Sequence, residues 1–82
     1  MYNSVMTKTG NTLFGERLKS ARIAAGLTQQ SLADKVGITL RGYCRWESGQ
    51  TEPSFGTVVE VCRILDVTSD YLLGLADEAH AD

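Results

Sequence analysis

Histidine occurs once in this 82-residue chain, at position 80, proline once, at position 53, and cysteine twice, at positions 44 and 62. Each scarcity excludes something. With His80 alone in the tail, no Ser/His/Asp or Cys/His constellation can be assembled, and no glycine-rich phosphate loop is present, so an enzyme is not expected. Cys44 and Cys62 have neither the spacing of paired metal ligands nor the density of a secreted disulfide scaffold; they read as free thiols in a reducing cytosol, with no metal and no cofactor. The N-terminal MYNSVMTKTGNT lacks the apolar stretch of a signal peptide, and no later segment approaches the length needed to cross a bilayer. The expectation is a soluble, cytoplasmic protein. A chain this short closes one core.

What is present is punctuation. Thr12, Thr28, Thr39, Ser54 and Ser69 each stand before a segment with helical apolar spacing, where a hydroxyl accepts from the orphan amides of a first turn. Gly26, Gly37, Gly49 and Gly74 close four of those segments, and Pro53 separates the third from the fourth. The pattern predicts helices near residues 13–25, 29–36, 40–48, 55–65 and 70–73, with no competing strand. Phe14, Leu18, Ala21 and Ala25 share one face of the first helix, and Phe55, Val58, Cys62 and Leu65 one face of the fourth. Tyr71, Leu72 and Leu73 read as core. The expected organisation is a flexible arm over residues 1–12, one all-α domain over 13–75 and a mobile tail over 76–82.

Net charge is −2, which argues against nucleic-acid binding driven by overall charge. Its distribution is uneven. Residues 1–12 carry +1, residues 13–53 carry +2, and residues 54–82 carry −5, so any anionic partner meets the middle of the chain.

In that middle the apolar residues Leu32, Val36, Ile38, Tyr43 and Trp46 alternate with small Ala33 and turn-forming Gly37. This describes two helices crossing steeply, with Ala33 permitting close approach and Tyr43 and Trp46 pinning the second helix. The outward face of that helix then presents Leu40, Arg41, Cys44 and Arg45, with Gly42 beside them.

The stretch GLTQQSLADKVGITLRGYCRWESGQTEPS resembles the core signature of the Cro and phage-repressor (xenobiotic-response-element) class of helix-turn-helix transcriptional regulators. That signature runs G-L-T-Q-x-x-L-A-x-x-x-G-hydrophobic-S/T and closes on W-E-x-G-x-x-x-P. The similarity continues back through GERLKSAR and forward through VTSDYLLGLAD, covering roughly residues 13–77. The resemblance implies a five-helix, lambda-repressor-like domain that binds double-stranded DNA, with residues 40–48 as the recognition helix in the major groove. Leu40, Arg41, Gly42, Cys44 and Arg45 become candidates for base contact. Gly42 costs about 1 kcal/mol relative to alanine inside a helix; it reads either as permitting closer approach to the bases or a phosphate, or as an untuned surface position.

By the same resemblance, Gln29 is a phosphate contact, and Thr28, Gln30 and Thr39 support it. Arg22 and Glu47 form a structural ion pair, Arg22 also facing the DNA backbone. Lys19 and Lys35 are secondary contributors. The loop departs from the family, which often places a basic residue where this chain has Gln50, Thr51 and Glu52. Backbone amides at Gln50 and near Phe55 remain as phosphate donors, and modest, salt-sensitive affinity is expected unless two copies bind together. Val59, Ile64 and Leu75 are candidate dimer-surface residues for a homodimer on an inverted repeat, with no small-molecule ligand. The rival reading is an antitoxin-like or other protein-interaction module that keeps the fold, suggested by the acidic C-terminal segment.

Overall fold

The computed structural model of the protein describes residues 10–80. Residues 1–9 of the expected arm and 81–82 of the expected tail lie outside them. Five helices follow in order: α1 Gly10–Ala24, α2 Gln29–Val36, α3 Leu40–Ser48, α4 Phe55–Leu65 and α5 Ser69–Leu73. No strand occurs among the described residues.

Local chemistry accounts for the boundaries. Thr28, Thr39 and Ser54 sit in extended backbone and cap α2, α3 and α4, their hydroxyls accepting from the amides of Ser31, Gly42 and Thr57. Two expected caps move. α1 begins at Gly10, so Thr12 lies inside it; the first turn of α1 lies against the end of α3, where a Cβ on Gly49 would stand 3.2 Å from Thr12 Cα. α5 is capped by Thr68 instead of Ser69, because Thr68 has the extended backbone and its Oγ1 accepts from Tyr71 N at 3.1 Å.

Gly37, Gly49 and Gly74 end their helices with positive φ, where a side chain would be strained. α4 ends without a glycine: Asp66 takes the left-handed conformation at φ 57°, a negative side chain at the negative end of a helix dipole. Asp66→Gly is therefore expected to raise stability by about 1 kcal/mol. Urea denaturation checks it, and a loss of stability would refute the strain.

The core draws Phe14, Leu18 and Ala21 from α1, Leu32 and Ala33 from α2, Tyr43 and Trp46 from α3, Val58, Val61 and Leu65 from α4, and Leu72 from α5. Val36, Ile38, Cys62, Ile64 and Tyr71 are partly buried against it. Five of the expected placements change. Ala25 is exposed beyond the end of α1, and Phe55, the first residue of α4, is 81 % exposed because the core begins one turn later at Val58. Leu73 is half exposed at the last turn of α5, whereas Ile64 turns toward the core. Val61 is fully buried in place of the more peripheral Cys62; both satisfy helical spacing, so the pattern alone does not choose between them.

Arg17 organises the C-terminal end. Its Nη1 donates to the carbonyls of Tyr71, at 2.7 Å, and Ala76, its Nη2 donates to Asp77 Oδ1 at 3.1 Å, and the guanidinium lies 4.6 Å from the Tyr71 ring centre. Thr68 N donates to Ala79 O at 2.8 Å. Residues 76–79 thus make specific contacts with α1 and with the start of α5.

Candidate nucleic-acid interface

The α2–α3 pair is joined by a turn in which the amides of Gly37 and Ile38 both donate to Ala33 O, at 2.9 and 3.0 Å. Gly37, at φ 87°, reverses the chain within one residue. Ala33 is fully buried beneath it, small enough for the two backbones to close. On the inner face of α3, Tyr43 and Trp46 meet edge to face with ring centres 5.7 Å apart, and both are buried. Anchoring those two side chains inward fixes which side of α3 faces out.

A single carboxylate ties this pair to α1. Glu47 accepts from Arg22 Nε at 2.7 Å, from Gln29 Nε2 at 3.0 Å and from the Tyr43 hydroxyl. Arg22 also donates through Nη1 to Leu27 O at 2.8 Å, and both members of the ion pair are nearly inaccessible to solvent. Burial disfavours the Glu47 charge, but the donors from Arg22, Tyr43 and Gln29 outweigh it and hold the carboxyl below its ordinary range. The same bond pushes the Arg22 guanidinium up, and burial, reinforced by the bond to Glu47, pushes the Tyr43 hydroxyl up. An arrangement this well satisfied sets orientation at little net gain in stability, while loss of one partner is costly.

The outward face of α3 is different. Arg41 and Arg45 are exposed one helical turn apart, and among the described residues neither lies in an ion pair. They line an open groove with Cys44, Ser48 and Gln50. Leu40 is partly exposed at the start of the helix. Gly42 gives its amide to Thr39 Oγ1 at 3.0 Å, and a Cβ there would approach only that oxygen, at 3.2 Å. Cys44 is half buried, its Sγ 3.6 Å from Gln29 Oε1.

The candidates for phosphate contact divide. Thr28 and Thr39 are exposed caps, and Gln30 is exposed with its amide donating to Asp34 Oδ1 at 2.8 Å. Phe55 stands in the first turn of α4, where its amide has no carbonyl within the helix to bond. Two others are spent internally. Arg22 is buried against Glu47 and Leu27, and the Gln50 amide donates to Arg45 O at 3.0 Å, closing the end of α3. Gln29 is half buried, with both ends of its side-chain amide bonded inside the domain.

Periodicity missed Gly15 and the Tyr43 hydroxyl, which hold the site, and Arg17, which holds the C-terminal end. Gly15 is where α1 crosses α3: a Cβ there would stand 2.4 Å from Glu47 O and 2.7 Å from Trp46 O. An isolated glycine inside a helical pattern is the one available sign of such an approach. The Tyr43 hydroxyl and the Arg17 clamp have no sequence signal, because their roles depend on which distant groups they meet.

A helix-turn-helix family profile matches residues 18–72. The SPbeta prophage-derived HTH-type transcriptional regulator YonR of Bacillus subtilis is 46 % identical over 61 residues, covering 74 % of this chain and 56 % of the relative. The chain spans a little over half the length of the curated relatives it matches most strongly. Among solved structures, the P22 c2 repressor in complex with a synthetic operator superposes with a TM-score of 0.71 at 28 % identity, covering 77 % of this chain and 96 % of that one. The fold also forms part of an enzyme, hydroxypropylphosphonic acid epoxidase from S. wedmorenis, at a TM-score of 0.74 and 28 % identity, covering 82 % of this chain but 36 % of that one. Taken with the α2–α3 geometry and the signature that runs through it, these matches place the chain in the Cro and phage-repressor class of helix-turn-helix proteins.

Proposed function

We propose that the protein is a sequence-specific transcriptional regulator, a repressor, that binds double-stranded DNA by laying α3 in the major groove. The observation that carries this reading is the asymmetry of α3: its inner face is locked by Tyr43, Trp46 and Glu47, while Arg41 and Arg45 stand exposed on its outer face and, among the described residues, in no ion pair. The similarity to a repressor in complex with its operator supports it. Around this helix, Thr28, Gln30, Thr39 and the first turn of α4 at Phe55 supply phosphate contacts that fix register. Leu40, Arg41, Cys44 and Arg45 supply base contacts, and Gly42 permits close approach. The protein works in the cytoplasm, without catalytic chemistry and without an effector of its own.

Two copies bind an inverted repeat whose half-sites lie about 34 to 36 Å apart. Exposed Val59 on α4, with Leu73 and Leu75 at the end of α5, supports pairing through that side of the domain. The same exposed apolar residues, on the acidic third of the chain, favour the second reading, a protein-binding module that keeps the fold.

Selection from a pool of random duplexes tests the first reading against the second. A regulator enriches a defined site, and Arg41→Ala and Arg45→Ala each weaken binding to it by about 1 to 3 kcal/mol and relax base preference. A protein-only module enriches nothing at any salt concentration.

A further inference from the structure

The charged side chains exposed on the outer face of α3 are Arg41 and Arg45. Arg41 and Arg45 are donors only. Two of the nearby acceptors are turned inward: the Glu47 carboxylate is occupied by Arg22, Gln29 and Tyr43, and the Gln29 carbonyl oxygen faces the Cys44 thiol. Leu40 has only methyl groups to offer. Ser48, whose hydroxyl donates to Arg45 O at 3.2 Å, and Gln50, which follows the left-handed Gly49, are uncharged and line the same groove at the C-terminal end of α3. In the major groove guanine presents two acceptors suited to a guanidinium, whereas adenine and cytosine each present an amino group that needs an acceptor from the protein.

We infer that α3 reads guanines: Arg41 and Arg45 each engage one guanine of a half-site through O6 and N7, and Leu40 lies against a neighbouring thymine methyl. The inference rests on the proposed binding of α3 in the groove and specifies what it recognises there. Four residues of helix separate the arginines by about 6 Å along the axis, so the two guanines fall within about four base pairs of each other, on either strand. Withdrawal of Glu47 into the domain leaves the two guanidinium groups as the charged groups on the outer face of α3.

The test uses the intact chain and the best duplex from the selection, in which each guanine in turn is replaced by 7-deazaguanine, which keeps the base pair but removes the N7 acceptor. Two guanines per half-site are expected to lose about 5-fold or more in affinity on replacement. Arg41→Ala abolishes the sensitivity at one of them and Arg45→Ala at the other, while Gln50→Ala leaves base preference unchanged. A specific site indifferent to 7-deazaguanine, an adenine preference that depends on Gln50, or arginine variants that weaken every duplex alike would each overturn the inference and leave DNA recognition by the domain standing. Absence of any preference among duplexes would remove both.

Discussion

Gly15→Ala is expected to destabilise the domain by about 3 kcal/mol, the upper end of what overpacking costs. The added methyl has nowhere to go: its neighbours at 2.4 to 2.8 Å are backbone atoms of Trp46 and Glu47, which cannot swing aside as a side chain can. α1 and α3 would have to separate, loosening the core that Phe14 and Leu18 share with Tyr43 and Trp46. For a domain of this size the loss lowers the melting temperature by roughly 12 to 24 °C. Alanine is the better helix former by about 1 kcal/mol, so propensity alone predicts the opposite sign. A thermal melt decides between them, and a variant as stable as the parent would show that the crossing is not tight.

Glu47→Gln should cost about 3 to 5 kcal/mol, because it leaves the Arg22 guanidinium buried without its counter-charge. Replacing both partners by apolar residues of similar volume, Arg22→Met with Glu47→Leu, is expected to cost less than the single change, since no charge is then stranded. The pair also predicts a pH dependence. The Glu47 carboxyl is held lower in the folded than in the unfolded chain, where it titrates near about 4.3. Its stabilisation is complete above that value and is lost as pH falls from there through the folded pKa. Urea midpoints measured downward from pH 7 should decline in this window for the parent and less steeply for Glu47→Gln. Equal slopes would mean that the carboxylate gains nothing from its donors.

The parts of this fold legible in the sequence are those whose physics is local. Thr28, Thr39 and Ser54 read as caps because a cap bonds an amide three residues ahead, and Gly37, Gly49 and Gly74 read as stops because each satisfies its own backbone. Where two residues meet the same local rule, the sequence does not choose: Thr68 is the cap of α5 in place of Ser69, and Val61 is buried in α4 in place of Cys62. Contacts between distant segments were legible only through the family signature or not at all. Arg17 meets residues 54 to 60 positions away, and Gly15 shows its purpose only where α3 crosses it.

The candidate site divides in the same way. That Arg41 and Arg45 share one face follows from their spacing on a helix. That Gln29 and Arg22 turn inward does not, because it depends on a carboxylate 18 and 25 residues further on. This inward turn gives Arg22, Gln29 and Glu47 one task, which is to hold α1, α2 and α3 in a fixed relation. The outer face of α3 is then presented as a rigid surface, and a change at Gly15 or Glu47 should weaken DNA binding only in proportion to the fraction of molecules that unfold.

The most direct test of the central claim is an NMR titration of the backbone amides with the selected duplex. The amides of residues 40–48 and of the Thr28–Gln30 turn should show the largest shifts, with smaller ones at the first turn of α4. Shifts confined to the far side of α4 and to α5, with α3 unchanged at saturation, would contradict the account.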